Sequence, residues 1–487
     1  MLFNSIQYII FFPIIALLYY ILPYQYRWML LLAASYFFYM SWRPAYIILI
    51  VFSTVVDYTV AKRMHQTDSK KNKLFYLLTS LIVNLGLLFV FKYYNFFNYS
   101  LSFALRQVDI VYNPQFIDII LPVGISFYTF QTLSYTIDVY KGKKEPENHF
   151  GVFALFVSFF PQLVAGPIER SGSLIKQLKA KIDFDYENVT IGIKRIVWGL
   201  FKKVVIADRL AVAVDYVYND PSQFTGMSLL VATVFFALQI YCDFSAYSDI
   251  AIGSAKVLGI DLMENFRTPY FSKSIQEFWR RWHISLSTWF KDYVFIPLGG
   301  SRVKRSSRLF FNILVVFLLS GLWHGAQWTF VIWGALHGLF MVIEALIKPL
   351  RDKITHVLEH TLWIHVYHFY RMTLTFFLVV FSWIFFRANN LSDALNIINR
   401  IIYNFNFSTA ELLNMTRGLG LQKEEFYIAL FGIMILFIID FMDRKKSVIQ
   451  LLSNKQSNLR WIVYYVITTA TIWLAYTGST QFVYFQF

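Results

Sequence analysis

The sequence of 487 residues contains a single cysteine, Cys242. One cysteine cannot form an internal disulfide or supply a cysteine-based metal cluster, so both are excluded. Charged residues are also scarce, at 15% of the chain against 57% hydrophobic residues. Soluble domains carry about 25% charged residues. These shortages exclude a disulfide-stabilised secreted domain and an ordinary soluble enzyme.

Several common catalytic signatures are missing as well. The chain has no Gly-rich phosphate loop, no HExxH zinc motif and no GxSxG nucleophile elbow. It also has no internal repeat, low-complexity tract or flexible linker. The first apolar run, residues 6–22, has no basic segment before it and no cleavage site after it, which predicts a retained membrane helix. We expect one domain over residues 1–487, without a metal or a tightly bound cofactor.

Apolar runs of membrane-spanning length are abundant. A helix needs about 17–25 apolar residues to cross a bilayer core. The pattern predicts an all-α polytopic membrane protein, with membrane helices near 6–22, 28–42, 45–61, 75–94, 117–138, 150–165, 190–218, 227–256, 309–325, 329–347, 367–387, 425–441 and 461–478. Residues 150–170 and 270–300 contain Pro, Gly and charges, so re-entrant or split helices are expected there.

Positive charge is concentrated in short loops between these runs. The net charge is +15, and basic residues cluster at 62–73, 141–144, 301–308 and 443–446. Cytoplasmic loops are enriched in Lys and Arg, so all four loops are expected in the cytoplasm. Three predicted helices precede the first of these loops and one follows the last, so both termini are expected on the outer side of the membrane. This distribution argues against nucleic acid as a partner.

Two carboxylates interrupt an otherwise uncharged run, "YCDFSAYSD" at 241–249. Ionisable residues inside apolar segments are costly and mark functional sites by default. Asp243 and Asp249 are therefore functional candidates. The alternative is a hydrogen-bonded patch, or carboxylates neutralised by a nearby cation, because buried carboxylates are usually paired.

Aromatic and basic residues alternate over 265–300, which includes "EFWRRWHISL". Helical spacing through this stretch would place on one face Trp279, Trp282, His283 and Leu286. For the segment as a whole, the alternative is an interfacial amphipathic helix with snorkelling Arg and Lys side chains. His283, on the aromatic face, is the candidate for chemistry.

A second histidine lies within a strongly apolar stretch, in "LSGLWHGAQW". His324 follows 15 residues without a charge after Arg308, a rise of about 24 Å in a helix. Desolvation would keep its imidazole neutral, the form that takes a proton from a hydroxyl. On spacing alone, a buried structural histidine is the alternative. That interpretation is given to His337, 13 residues further on.

The segments 278–300 and 319–328 together resemble the membrane-bound O-acyltransferase (MBOAT) family. Members carry an Asn, Asp or His in a Trp-rich motif and an invariant His further along the chain. Those positions match His283 and His324, 41 residues apart. The resemblance covers most of the chain and includes three further segments typical of the bacterial branch that acylates polysaccharides: "LPVGISFYTFQTLSYTIDVYKG" (121–142), "FFPQLVAGPIER" (159–170) and "YCDFSAYSDIAIG" (241–253).

The resemblance implies a bundle of about 11–13 transmembrane or re-entrant helices around a central tunnel. An acyl group would pass from a cytoplasmic thioester donor, expected to be acetyl-CoA, to an acceptor outside. His324 would be the general base or orient the acceptor, and His283 would polarise the carbonyl or position the donor. The side chains expected along the tunnel are Trp279, Trp282, Trp323, Asp243 and Ser320.

The last seven residues, "QFVYFQF" (481–487), also have a family counterpart. They resemble the aromatic C-terminus of the small partner protein in the D-alanylation system, whose tyrosine is proposed to relay the acyl group. The resemblance implies that Tyr484 is an acyl relay. An aromatic anchor at the membrane interface is the alternative.

The expected function is O-acetylation of an extracellular or cell-wall polysaccharide from the bacterial cytoplasmic membrane. A secreted or membrane-tethered acetyltransferase- or esterase-like partner is expected to place the acetyl group on the sugar. Two alternatives stay open: D-alanyl transfer to teichoic acid, and a transporter or flippase without chemistry. The absence of inverted repeats argues against the last.

Overall fold

The computed structural model describes residues 1–405, 418–444, 448, 457–478 and 482–483. Every regular element in these ranges is helical, which confirms the all-α prediction for this part of the chain. In chain order the α-helices are α1 (Ile6–Ile21), α2 (Tyr24–Met40), α3 (Ile47–His65), α4 (Lys70–Leu88), α5 (Tyr94–Arg106), α6 (Ile125–Tyr140), α7 (Phe150–Ser158), α8 (Phe160–Leu163), α9 (Ser171–Lys179), α10 (Tyr186–Leu200), α11 (Asp208–Tyr218), α12 (Gly226–Val257), α13 (Ile275–Arg281), α14 (Ile284–Phe290), α15 (Ser306–His324), α16 (Trp328–Leu358), α17 (Trp363–Arg387), α18 (Leu391–Tyr403), α19 (Lys423–Asp443) and α20 (Ser457–Trp473). Three π-helical segments join neighbouring helices, at Phe89–Tyr93, Phe201–Ala207 and Lys291–Phe295.

Several of these helices have the length and composition of membrane spans. Within the described ranges there are seven: Pro44–His65, Lys70–Arg106, Gly226–Val257, Ser306–His324, Trp328–Leu358, Trp363–Arg387 and Lys423–Asp443. Helix α1 is equally apolar but shorter. The protein is therefore a multi-pass membrane protein, as the apolar runs predict.

The predicted helix at 117–138 starts later than expected, at Ile125. The residue before it, Gly124, has a φ of 76°, a left-handed conformation that favours glycine. A Cβ atom at Gly124 would also lie 2.7 Å from the carbonyl oxygen of Leu163. The apolar pattern continues through this turn, so hydropathy alone extends the helix too far.

Short, interrupted helices occupy the two segments where broken helices are expected. Helices α7 and α8 divide 150–170, and α13 and α14 divide 270–300. Both interruptions lie among buried residues. Irregular backbone at membrane depth is tolerated where protein surrounds it.

The chain forms two compact units, which are described separately. Unit 1 comprises Met1–Ile196 and Ile250–Met263, and unit 2 comprises the described parts of Val197–Asp249 and Glu264–Phe487. The expectation of one domain over residues 1–487 stays a prediction.

Unit 1 contains a fully buried carboxylate, Asp57 on α3. Ser80 Oγ on α4 donates to Asp57 Oδ1 at 2.5 Å, and Asn84 Nδ2 lies 3.0 Å from both carboxylate oxygens. Thr132 on α6 donates to Asn84 Oδ1 at 3.4 Å. Interhelical hydrogen bonds of this kind replace the hydrophobic effect as the force between helices in lipid. They link α3, α4 and α6.

Unit 2 contains a very close crossing of α15 and α16. A Cβ atom on Gly321 would lie 2.3 Å from the carbonyl oxygen of Phe330, and one on Gly334 would lie 2.3 Å from that of Phe317. Small residues let membrane helices approach backbone to backbone. The crossing brings the first turns of α16 against the end of α15, where His324 lies.

Candidate active site

His283 lies at a break between two short helices. Helix α13 ends at Arg281, α14 begins at Ile284, and His283 between them has a φ of 44° and a ψ of 53°. The helical face considered for Trp279, Trp282, His283 and Leu286 is therefore interrupted at His283, within the segment where a split helix is expected. A left-handed residue is rare outside glycine and needs support from its surroundings.

That support comes from Asn265, which is fully buried. Its backbone carbonyl accepts from Ile284 N at 3.0 Å. Its side-chain oxygen accepts from the backbone N of Ser285 at 3.3 Å and from the Ser285 hydroxyl at 2.9 Å. Asn265 thus caps the first turn of α14 and stabilises the strained backbone at His283.

Asn265 also sets the tautomer of His283. The backbone N–H of Ser285 can only donate, so its partner at 3.3 Å is the amide oxygen Oδ1, and Nδ2 on the other side donates to Ser248 Oγ at 3.1 Å. His283 Nδ1 lies 3.1 Å from Asn265 Oδ1, so Nδ1 carries the proton and donates. In a neutral imidazole the other nitrogen, Nε2, then holds the lone pair.

Burial keeps the His283 imidazole neutral. The side chain is completely buried, and desolvation lowers its pKa to about 3. The residue lies outside the seven helices of spanning length. A neutral ring with a lone pair on Nε2 can accept a hydrogen bond throughout the physiological pH range.

His324, the last residue of α15, lies beside His283. The ring centroids of the two histidines are 6.3 Å apart, and His324 is 3% exposed. Its ring is surrounded edge-to-face by Trp323 at 4.9 Å, Trp333 at 5.0 Å and Phe386 at 5.3 Å. The structure therefore brings together two histidines that are 41 residues apart in sequence.

Of the side chains expected along the tunnel, the structure places some beside the histidine pair and others away from it. Trp323 contacts both histidines, with its ring centroid 5.9 Å from that of His283. Trp282 packs within 5.0–6.2 Å of the rings of Phe266, Trp383, Phe278, Tyr270 and Tyr241. Ser320 is buried one turn before His324. Trp279 lies against His337 instead.

Both ring nitrogens of His337 bond to protein groups. Trp279 Nε1 donates to His337 Nδ1 at 3.3 Å, which leaves the proton of the neutral ring on Nε2. That nitrogen lies 2.9 Å from Ser382 Oγ, which itself donates to the carbonyl oxygen of Val379 at 2.7 Å. These bonds hold α13, α16 and α17 together.

Asp243 lies in a buried ion-pair network. Lys203 Nζ is 2.7 Å from Asp243 Oδ1 and 2.7 Å from Asp208 Oδ1. Lys202 Nζ makes a separate pair with Asp249 at 2.6 Å. The neutralised-carboxylate interpretation therefore describes both aspartates, with lysines as the cations. No group of three or more His, Cys, Asp and Glu residues in the described ranges could hold a metal ion.

Sequence reasoning missed Asn265 and Lys203. Asn265 opens the aromatic and basic segment, but nothing in its spacing connects it with a residue 18 positions later. Lys203 follows another lysine inside an apolar run, and this unusual pair is the signal that could have found it.

Tyr484, the expected relay residue, lies outside the described residues. The two residues before it are described and are each 1% exposed. Phe482 stacks on Tyr247 at 4.0 Å, and the Val483 N–H donates to Asp243 Oδ2 at 2.7 Å.

Comparison with known proteins gives matches over nearly the whole chain. A probable alginate O-acetylase of Pseudomonas putida is 37% identical over 500 residues, which cover 98% of each protein. A peptidoglycan O-acetyltransferase of Helicobacter pylori is 37% identical over 401 residues, 76% of this chain and 73% of the relative. A teichoic acid D-alanyltransferase of Bacillus subtilis is 30% identical over 230 residues, 45% and 58% of the two chains.

The sequence profile of the membrane-bound O-acyltransferase family matches residues 149–386. The matched region contains both histidines of the buried pair and the helices that carry them. The identity to the Pseudomonas putida protein extends over the rest of the chain. The chain belongs to the membrane-bound O-acyltransferase family and is an acyltransferase.

Proposed function

We propose that this acyltransferase moves an acetyl group from acetyl-CoA, a cytoplasmic thioester, towards the hydroxyl groups of an extracellular or cell-wall polysaccharide. The observation that carries the proposal is the buried pair His283 and His324, with ring centroids 6.3 Å apart. Two of the relatives above are named for O-acetylation of alginate and of peptidoglycan, which supports acetyl as the group and polysaccharide as the acceptor.

The proposed step is attack of a hydroxyl oxygen on the thioester carbonyl carbon. His324 removes the hydroxyl proton, the new C–O ester bond forms, and the C–S bond breaks. The departing thiolate then takes up the proton, so the imidazole ends neutral. Surrounding rings of Trp323, Trp333 and Phe386 exclude water, which protects the thioester from hydrolysis.

The tautomer of His283 supports one of its two expected roles over the other. To polarise the carbonyl, His283 would need a proton on Nε2, but its proton lies on Nδ1 against Asn265. We therefore assign His283 to positioning: Nε2 accepts a hydrogen bond from an amide N–H of the donor's pantetheine arm or from the acceptor hydroxyl.

The proposed route out of the site is a relay through Tyr484. Its phenol oxygen would take the acetyl group and pass it to a secreted or membrane-tethered acetyltransferase- or esterase-like partner. With both termini outside a bacterial cytoplasmic membrane, as the basic loops predict, the relay and the partner meet on the same side. Burial of Phe482 and Val483, the residues before Tyr484, supports a tail that enters the protein.

A single-turnover assay tests this function. Purified protein in lipid nanodiscs is mixed with radiolabelled acetyl-CoA and no partner, and the tail peptide is analysed by mass spectrometry. Acetylated Tyr484 is the expected result, with Tyr484→Phe as the matched control. Labelling from a D-alanyl thioester but not from acetyl-CoA would support D-alanyl transfer. A protein that takes label from neither donor would contradict acyl transfer through Tyr484.

A further inference from the structure

The tail segment is bound at two points inside unit 2, and both involve its backbone. The Val483 N–H donates to Asp243 Oδ2, and the Tyr476 N–H donates to the carbonyl oxygen of Val204 at 2.8 Å. Val204 lies in the π-helical segment Phe201–Ala207. A π-helix shifts the backbone pairing by one residue and is frequently found at functional sites.

The two carboxylate oxygens of Asp243 contact different partners, one a lysine ammonium and the other the tail backbone. Oδ1 faces Lys203 Nζ and Oδ2 accepts from Val483, each at 2.7 Å. Lys203 Nζ forms an ion pair with this carboxylate, and hydrogen bonds to ion-paired carboxylates are stronger than those between neutral groups. The same ammonium lies 5.8 Å from the ring of Tyr247, on which Phe482 stacks.

The bound segment lies one aromatic ring away from His283. The ring centroids of Phe482 and Phe244 are 6.2 Å apart. The ring of Phe244 meets that of His283 edge-to-face, with centroids 4.7 Å apart. Phe244 and Tyr247 are both on α12, the helix that carries Asp243. Residue 484 follows directly after the position held by Asp243.

We propose that Asp243, Lys203 and Tyr247 form a tail clasp, which holds residues 482–483 beside the histidine pair. Asp243 is then a positioning residue for the tail, and its carboxylate does not line the substrate path. The clasp itself stands on contacts of described residues. Its use, to present Tyr484 to His324, rests on the proposed function.

The same α12 offers a matched control. Asp249 pairs with Lys202 at 2.6 Å and its side chain is 14% exposed, whereas Asp243 is 2% exposed and also accepts from the Val483 N–H. If Asp243 serves only to neutralise a lysine and hold helices together, removal of either carboxylate should have similar effects. If it holds the tail, only Asp243→Ala should release it.

The experiment measures tail release by cysteine labelling, which needs no acyl transfer. The native cysteine is replaced (Cys242→Ala), Val483→Cys is introduced, and labelling by a soluble maleimide is timed in nanodiscs. We expect slow labelling in this background and with Asp249→Ala, and at least about 10-fold faster labelling with Asp243→Ala, the effect expected when a hydrogen bond to a charged group is lost. Asp243→Asn keeps an oxygen acceptor without the charge, so its labelling rate should lie between those of the background protein and of Asp243→Ala.

Two results would overturn the clasp: unchanged labelling with Asp243→Ala, or equally fast labelling with Asp249→Ala. If Asp243→Ala fails to fold, Tyr247→Leu replaces it, since loss of the Phe482 stacking partner should also expose residue 483. Acetyl transfer is measured on the same variants. Fast labelling with undiminished transfer would uphold the clasp and refute the relay through Tyr484.

Discussion

Two kinds of buried histidine lie within unit 2, and their surroundings differ in a way that separates packing from chemistry. His337, in the middle of α16, bonds through both ring nitrogens to Trp279 and Ser382. His283 bonds through Nδ1 to the amide oxygen of Asn265 and lies at a break between two short helices. His324 ends a helix among aromatic rings, 6.3 Å from His283.

The difference teaches that burial by itself does not identify a catalytic histidine. All three rings are 3% exposed or less. What separates them is the position on the helix: a ring in mid-helix faces neighbouring helices and is bonded by them, whereas a ring at a helix end or break meets irregular backbone. The proposed roles of the three residues follow from this distinction.

The strongest test compares the same substitution at His324 and His337. Loss of the general base in His324→Ala should lower acetyl transfer per folded molecule by about 100-fold or more, in addition to the stability cost of the cavity left among Trp323, Trp333 and Phe386. His337→Ala removes two hydrogen bonds and leaves a cavity, so it should destabilise the protein by about 2–4 kcal/mol. Transfer per folded His337→Ala molecule should stay within a few-fold of the unmodified protein.

Single-turnover rates and thermal unfolding in detergent measure both effects. Full transfer by a folded His324→Ala protein would remove His324 from the mechanism. Complete loss of transfer by a folded His337→Ala protein would erase the distinction between the two kinds of histidine.

A smaller effect is expected at Asn265. Asn265→Ala removes the acceptor that keeps the His283 proton on Nδ1, so the ring can adopt the other tautomer. Loss of an orienting partner of this kind costs about 10- to 100-fold in activity. Asn265→Asp keeps an acceptor at the same place and should recover part of the rate, whereas a variant that merely loosens the fold would not respond to the replacement.

The pH profile provides the readout specific to the tautomer. A carboxylate in Asn265→Asp would raise the pKa of His283, so the pH profile of its transfer rate should differ from that of the unmodified protein. If the two proteins have the same profile between pH 5 and 8, Asn265 does not act through His283.

The smallest expected effect is on stability at low pH. The pKa of His283 is about 3 in the folded protein against 6.5 for a free histidine. Between these values the unfolded chain binds a proton that the folded protein does not, so stability falls as the pH is lowered below 6.5. The slope from this group is about 1.4 kcal/mol per pH unit.

His283→Gln removes this titrating group and keeps a side-chain donor for Asn265. Thermal unfolding of both proteins at pH 6.5 and pH 4.5 isolates the contribution, because the other titrating groups are common to both. Equal losses of stability in the two proteins would show that His283 is protonated in the fold as readily as in water.

Hydropathy and charge predict most of the helices, because an apolar run of sufficient length has few alternatives to a helix in lipid. They fail where the backbone turns without a change in polarity. A split helix is expected within 270–300, but the position of the break is not, because Asn265, 18 positions away, stabilises the left-handed residue at His283. The helix at 117–138 starts late for a similar local reason, the turn at Gly124.

The sequence by itself determined the membrane class, the two histidines of the pair and the unusual charges in apolar runs. Each of these follows from residue types and their spacing along the chain. Only the tertiary structure decided that His337 is bonded at both nitrogens, that Asn265 fixes the proton of His283, and that Asp243 accepts from the Val483 N–H. Such roles depend on hydrogen bonds between residues up to 240 positions apart, and one-dimensional spacing carries no information about bonds over that range.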